Sequence, residues 1–421
     1  IDGVVQTAPS NYNISGSTII FTSAPAASAN VTVRHLGFRT TATVTALSAG
    51  SVTATEIVDG AVTNAKLAGS ITSDKLVSVN GSLLIANTVS NSAFTTGSVE
   101  NYLRANTLDF GMRNRIINGA MRIDQRNNGA ANTPVHDGYT LDRYKWVLSQ
   151  SSKLTNQQDS SANTVAGFTS SLKVISSSSY SIGAGDYFSV EQDIEGNNVG
   201  DLRWGTANAR AITISFFVRS SLTGTFGASV RNSSGGRSYP FSYTIVTADT
   251  WEQKFITIPG DTSGTWLTDT GIGIRVNFGL GVGSTYSGTA GAWNSSNHIS
   301  ATGAVSVVGT NAATWYLTGL QLEEGSVPTP FEYRQYSTEL ALCQRYYAVT
   351  SAILYGSISG AAGQGAVNWF YKTTMRIAPT VTGNAATTVV TSTPDFAAGI
   401  TNNIGGYYAS FASGSTASAE L

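Results

Sequence analysis

Between Ala49 and Leu103 the chain repeats a short polar phrase that a single molecule could hardly fold by itself. The copies run Gly50–Ile57, Gly60–Leu67 and Gly69–Leu76, with looser ones at Asn87–Phe94 and Gly97–Leu103. Most offer one apolar pair each: Val52 with Ile57, Val62 with Leu67, Ile71 with Leu76, Val89 with Phe94. Burying such a side chain contributes roughly 1.5–3 kcal/mol. Ordering each residue of backbone costs roughly 1–2 kcal/mol, so one pair per copy leaves the phrase short of a fold. Identical neighbours sharing the thin seam would supply the rest, which points to a multi-chain fibre. The period is too short for helical repeats and suits a β-structured or extended shaft. A flexible linker also matches the Ser, Thr, Ala and Gly content, but a linker has no need of apolar pairs in register.

Composition narrows the classes around this repeat. The 421 residues leave room for more than one domain, and only 12% are charged, with a net charge of -1. Balanced charge offers no footprint for nucleic acid or an anionic membrane surface. No apolar run approaches the length of a membrane span, and no signal peptide is visible. The 44 glycines and abundant Ser, Thr and Asn suit turns and strands rather than helices. A single cysteine, Cys343, excludes an intrachain disulfide framework. The chain opens on Ile1 rather than Met, as a fragment or processed product would.

The pattern along the chain predicts an all-β protein in four parts. Residues 1–40 form a small β unit, with a hairpin turning at Gly16 between Tyr12–Ile14 and Thr18–Phe21 and a further strand over Val31–His35. Residues 41–105 carry the repeat shaft. Residues 106–336 form an antiparallel β-sandwich, the expected strands being separated by turn clusters without intervening helices. In it Ile212, Ile214, Phe216 and Val218 share one face, as do Ile272, Ile274, Val276, Phe278 and Leu280. The small residues opposite, Gly271, Gly273 and Gly279, would let another sheet, chain or ligand lie close. Tyr316, Thr318, Leu320 and Leu322 are expected to form a further alternating face. Residues 337–421 hold a connecting helix over Ser337–Tyr347, capped by Ser337, and a compact β-rich C-terminal tip. Leu340, Leu342, Cys343, Tyr346 and Tyr347 leave that helix apolar on several sides, so it is expected to be buried between domains or along a trimer axis.

Several motifs resemble a domain of bacteriophage tail fibre proteins. They are Arg115–Arg126, Asp142–Trp146, Trp204–Ala207, Arg237–Phe241, Leu317–Glu332 and Glu339–Tyr346. Gly3–Thr7 with Ser15–Phe21 is similar to a fibre segment of podovirus-type and marine phages, and the repeat resembles the shaft between them. The resemblance implies a fibrous homotrimer with a jelly-roll-like receptor-binding domain. It implies a virion protein that binds a bacterial surface receptor, often a glycan such as lipopolysaccharide, and joins other tail proteins through an N-terminal segment not recognisable here. It brings no catalytic motif, cofactor or metal across.

The residues themselves offer little chemistry. His35, His136 and His298 fall in no metal-ligand spacing, and Pro134–Gly138 around His136 is an ordinary turn sequence. Cys343 in the apolar helix suits a buried, inert thiol. Asp193, Glu195, Asn197 and Asp201 alternate oxygen ligands without the EF-hand pattern, leaving a solvated loop as the preferred account over a calcium site. No carboxylate pair stands out for glycosidase work: Glu323 and Glu324 would point to opposite faces of a strand, and Asp261 and Asp269 fall in turns. Aromatic side chains are the better lead, because sugar CH faces stack on them. Trp266, Tyr286 and Trp293 lie in Gly-, Ser-, Thr- and Asn-rich stretches and are the candidate carbohydrate contacts, while Trp146, Trp251 and Trp315 are assigned to core or interface. The expected function is therefore adsorption of a phage fibre to a host glycan, without catalysis. A tailspike-like polysaccharide depolymerase and a bacterial trimeric adhesin are the alternatives.

Overall fold

A computed structural model describes residues 1–34, 112–161, 165–350, 354–357, 365–382, 388–401 and 408–421. The repeat at 41–105 lies outside the described residues. Two units are distinguished, Ile1–Val89 and Ser90–Leu421.

In the first unit β1 (Tyr12–Ser15) pairs antiparallel with β2 (Thr18–Phe21), Tyr12 opposite Phe21. Gly16 turns the hairpin at φ +60°, where its missing Cβ removes the steric cost. The strand expected over Val31–His35 is not formed by Val31–Arg34, and His35 lies outside the described residues. Val33 stays 60% exposed, so alternation there has no layer to bury against.

The second unit is built on a sandwich. Its strands are β3 (Lys145–Leu148), β4 (Leu154–Asp159), β5 (Ser171–Ser176), β6 (Tyr187–Glu195), β7 (Ile212–Ser220), β8 (Gly224–Arg231), β9 (Ser238–Ile245), β10 (Glu252–Ile258), β11 (Ile272–Val282), the short β12 (Ser287–Gly288) and β13 (Ser300–Ala301), and β14 (Thr314–Glu324). One sheet has the order β10-β7-β14-β5-β4, the other β3-β6-β11-β8-β9, and both are antiparallel throughout. Apart from the hairpins β4–β5 and β8–β9, the chain crosses between the sheets at each step, the habit of a jelly roll. Ile212, Ile214, Phe216 and Val218 are fully buried, and Ile274, Val276, Phe278 and Leu280 face them. Ring edges lock the middle of this core: Phe216 lies 5.1 Å from both Phe278 and Tyr243. Trp315 Nε1 donates to Tyr243 Oη at 3.1 Å, so the buried indole has its partner.

Strand β14 corrects the expected alternation. Trp315 and Leu317 enter the core, and so do Leu320 and Leu322. A bulge between Thr318 and Gln321, with Gly319 at φ +61°, inserts a residue and reverses which parity faces inward. Tyr316 and Thr318 therefore lie on the opposite side, where Tyr316 meets Trp251 and Thr318 bonds to the Ser170 carbonyl.

The helix forms as α1 (Tyr336–Gln344), but Ser337 does not cap it. Gln335 holds the cap position without a side-chain bond. Glu339 instead reaches across to accept from the Asn118 backbone N–H and pairs with Arg334 at 3.6 Å. Cys343 and Tyr346 are buried against Ile117 and Ile123, with Leu340 and Leu342 half-buried beside them. Among the described residues no helix is long and apolar enough to cross a membrane.

Beyond α1 come β15 (Tyr347–Val349), β16 (Leu354–Ser357), β17 (Gly365–Phe370), β18 (Thr380–Thr382), β19 (Thr388–Ser392), β20 (Phe396–Thr401), β21 (Tyr408–Phe411) and β22 (Thr416–Ser418). They make the small sheets β15-β22-β18, β16-β21 and β17-β20-β19, around a second core of Val367, Trp369, Met375, Ala397 and Phe411. Ion pairs fasten this module to the sandwich. Arg345 grips Glu195 through two bonds at 2.7 and 3.0 Å, and Glu420 pairs with Arg126 at 2.8 Å and with buried Arg143.

Candidate functional site

Two consecutive 3-10 turns, Gly196–Asn198 and Gly200–Leu202, deliver Trp204 to one end of the sandwich. The loop after β10 brings Trp266, and the excursion after β11 brings Trp293. The three indoles meet edge to face, with centroids 4.6 Å (Trp204–Trp266), 5.3 Å (Trp204–Trp293) and 5.6 Å (Trp266–Trp293) apart. Tyr239 from β9 adds a fourth ring, 5.2 Å from Trp293. Each indole N–H is already committed to a backbone carbonyl: Trp204 to Arg210, Trp266 to Ser263, Trp293 to Pro259. The rings are thus fixed in orientation, and what Trp266 and Trp293 still offer is carbon surface.

Beside them Arg237 gives Nε and Nη2 to buried Asp261, both at 2.7 Å. That bidentate pair fixes the guanidinium plane 5.9 Å from the Trp293 ring. Trp204 is buried, whereas Trp266 and Trp293 are half-buried against the main core. The cavity under Trp266, lined by Val199, Trp204, Leu267 and Ile274, measures about 10 Å³. No sugar ring enters a space of that size, so a ligand would lie on the rings, not under them.

Tyr286, the third candidate, is not among these rings. It packs edge-on against Tyr187 at 5.0 Å, and Tyr187 in turn lies 6.2 Å from His136. The sequence placed three aromatics in similar loops; the fold brings together two of them and adds Trp204 and Tyr239.

A second constellation was only half seen in the sequence, where Asp193 and Glu195 were assigned to a solvated loop; both are buried on a strand instead, because Lys145 and Arg345 pair with them. On the outward face of β6, Glu191, Asp193 and Glu195 follow one another at every second residue, and all are buried. Register sets Lys145 and Asn277 opposite Glu191, and Arg275 opposite both Asp193 and Arg231. Lys145 Nζ lies 3.1 Å from Glu191 and 2.6 Å from Asp193, while Arg231 bonds to Glu191 and, at 2.5 Å, to Asn297. Burial alone would raise the Glu191 carboxyl, but Arg231, Lys145 and Arg275 outweigh it and hold it low. Asp193 is pushed up by burial and by the neighbouring Glu191 charge. Glu195 is held low in spite of burial by hydrogen bonds from Arg345 and Tyr346. A legible signal existed: Phe188, Val190 and Ile194 alternate with acids, which is a strand with a carboxylate face.

That face is covered. Ser300 and Ala301 sit on Gly227 and Gly279, where an added Cβ would come within 2.2 Å and 2.6 Å of Ser300 Oγ. The close approach anticipated at the small residues of β11 is therefore made by the chain itself. At the other side Arg143, stacked 3.6 Å over the Tyr346 ring, donates to the Asp193 carbonyl. The four oxygen-bearing residues considered for calcium are drawn to separate partners: Asp193 to Lys145, Glu195 to Arg345, Asp201 to Arg115, while Asn197 bonds to Glu195. Among the described residues no group of three or more His, Cys, Asp or Glu is placed to hold a metal ion.

The remaining candidates have structural surroundings. His136 sits in a turn beside Asp137 and accepts from the Leu148 N–H. His298 is half-buried against Gly288, and burial lowers its basicity. Cys343 is fully buried, which pushes its thiol well up. Glu323, on the outward face of β14, is buried under Thr329, whose hydroxyl and N–H it accepts from, while Glu324 pairs with Arg210 on the other side.

No protein-family model and no curated protein matches this chain. Similar solved structures include the enzymatically active domain of tailspike protein 4 of bacteriophage CBA120, at 11% identity and TM-score 0.26, covering 43% of this chain and 19% of that one. A putative sugar binding protein from Bacteroides thetaiotaomicron is similar at 9% identity and TM-score 0.28, covering 50% and 100%. A family 11 carbohydrate-binding module from Clostridium thermocellum, in complex with a mixed-linked tetrasaccharide, is similar at 10% identity and TM-score 0.24, covering 48% and 98%. At TM-scores this low the sandwich assignment rests on strand order and register, not on these likenesses.

Proposed function

We propose that this chain is the receptor-binding part of a bacteriophage tail fibre, a homotrimeric virion protein that binds a bacterial surface glycan such as lipopolysaccharide without cleaving it. The observation that carries the glycan part is the Trp266–Trp293 pair. Two half-exposed indoles are locked by backbone carbonyls and braced by Trp204 and the Arg237–Asp261 pair, so stacking on a sugar costs little ordering. The fibre part is supported by the repeat and by the motifs that resemble tail fibres. Mechanism in this reading is avidity: weak stacking contacts on each chain add through the trimer, and again through several fibres on one particle. Attachment to other tail proteins would lie upstream of the sandwich.

The test is binding of the purified chain to a panel of lipopolysaccharides and capsular polysaccharides by surface plasmon resonance. Trp266→Ala and Trp293→Ala are expected to lose at least tenfold in affinity with unchanged near-ultraviolet circular dichroism elsewhere. Tyr286→Ala shows whether the Tyr187–Tyr286 corner contributes a separate contact. Unaltered affinity in both tryptophan variants would move the site away from this end of the sandwich. Release of oligosaccharides from any bound polysaccharide would replace the non-catalytic reading with a depolymerase.

A further inference from the structure

The outward face of the β10-β7-β14 sheet is covered over Thr213, Gln321 and Glu323 by the chain's own segment after β14, and an apolar patch is left exposed at its β10 edge. Phe255 on β10 is 60% exposed, and Tyr333 and Val327, from the segment after β14, are 58% and 47% exposed. Across the β10–β7 ladder Gln253 lies opposite Phe217, and Phe255 opposite Ser215, so Phe255 is the diagonal neighbour of Phe217 on one face. Phe217 contacts Phe168 at 5.5 Å; Phe168 contacts Phe331 at 5.0 Å and Tyr333 at 5.4 Å. The Ser326 carbonyl accepts from Thr257 on β10, which draws Val327 to the same surface. The patch is thus a packed aromatic surface of fixed shape, and none of the side chains that compose it is charged.

The described residues that begin at Met112 enter the sandwich at this place. Arg113 donates to the Pro330 carbonyl at 3.0 Å, and the Asn114 N–H donates to Glu332 at 2.6 Å, on either side of Phe331. Residues 41–105 just upstream carry the repeat whose single apolar pairs need identical neighbours. The repeat ends at Leu103, nine residues before Met112 in sequence, so copies joined through it would be tethered to one another within that length of this surface. An uncharged face meets its own copy without like-charge repulsion, whereas a charged one would not.

We propose that Phe217, Phe255, Val327, Phe331 and Tyr333 form the surface through which the sandwich packs against a second copy of this chain; the proposal rests on the homotrimer reading. The interface then belongs to the β10-β7-β14 sheet and leaves the tryptophan end of the sandwich open.

The full chain is tested in two steps. Light scattering first gives the mass in native buffer. Phe255→Cys and Tyr333→Cys are then treated with a short bis-maleimide, with Val135→Cys as the control, since Val135 is 59% exposed in a turn bonded to β3 of the other sheet. The native thiol, Cys343, is fully buried and should not react. Expected are covalent dimers, the largest product a two-armed reagent gives with one accessible thiol per chain, from the Phe255 and Tyr333 variants at micromolar chain, and monomers from the control and the parent. A trimer by mass that does not cross-link at either position would overturn this face while leaving the oligomer standing. A monomer by mass would overturn both, and equal cross-linking at Val135 would reveal random collision and overturn the assignment.

Discussion

The two sheets of the sandwich share one core and differ in what they do with their outer faces. The β3-β6-β11-β8 face is rich in charge: Lys145, Glu191, Asp193, Arg231 and Arg275 interlock there, and the chain folds its own Asn297–Ala301 stretch and its C-terminal module over them. The β10-β7-β14 face is covered over β7 and β14 by the chain's own segment after β14 and leaves the apolar side chains of Phe255 and Tyr333 exposed. On hydropathy alone the reverse would be expected. A charged face tolerates burial only when each charge finds a partner, and that one does. An apolar face left open needs a partner from elsewhere. The charged face holds this chain together; the apolar face is suited to holding it to another.

The sharpest way to break that comparison is to remove the central acid. Glu191→Gln leaves Arg231 buried without its carboxylate and Lys145 with Asp193 alone, and should cost roughly 3–5 kcal/mol. At about 2–4 °C per kcal/mol, a drop in Tm on the order of 10 °C by calorimetry is expected; a change below 2 °C would mean the network is not what fastens this face. Gly279→Ala is next. Its Cβ would come within 2.6 Å of Ser300 Oγ and 3.1 Å of the Gly227 carbonyl, so the covering segment must lift, at roughly 1–3 kcal/mol. Faster hydrogen exchange at 298–304 with little change elsewhere would locate the effect.

The acids should also separate by pH. Asp193 has its pKa raised in the folded state, so the folded chain binds a proton that the unfolded chain releases. That contribution is fully present below the unfolded value and is lost as pH rises through the folded one. Glu191 and Glu195 are held low, so theirs is present above the unfolded value and lost as pH falls through the folded ones. Tm should therefore rise modestly from pH 8 to 5.5 and fall in stronger acid. Asp193→Asn should flatten the first limb and leave the second; a mutant that keeps the rise would assign it to another group. Smallest of all is Phe255→Thr: an exposed edge position should change the stability of a separated chain by less than about 0.5 kcal/mol, measured by urea unfolding under conditions that dissociate the oligomer.

Much of the fold was written locally. The alternation at Ile212–Val218 and Ile272–Leu280 named the strands and their inward faces, because a period of two survives wherever one side is buried. Gly16 fixed its hairpin for the same local reason. Alternation misled at Tyr316–Leu322, where a bulge resets the parity at Gly319 without any break in the apolar pattern. It misled at Val31–Arg34 as well, where the pattern has no layer to pack on. The cap at Ser337 yielded to Glu339, whose partners Asn118 and Arg334 come from distant parts of the chain.

The candidate site divides along the same line. Trp266 and Trp293 stood out because aromatics in polar, glycine-rich stretches are conspicuous. Their union with Trp204, more than sixty residues upstream, depends on two loops meeting across the end of the sandwich. Glu191 went unnoticed, and Asp193 and Glu195 were assigned to a solvated loop, because a carboxylate on a strand looks solvated until its cross-strand partners are known.

The sequence by itself determined that this protein is built of β-strands and which residues of β7 and β11 point inward. Those properties depend on neighbours a few residues away. Tertiary structure alone decided that the charged outer face could be covered, because that depends on whether charges from four strands and a C-terminal module arrive within hydrogen-bonding distance of one another. Coulomb attraction falls with distance in space and is indifferent to distance along the chain.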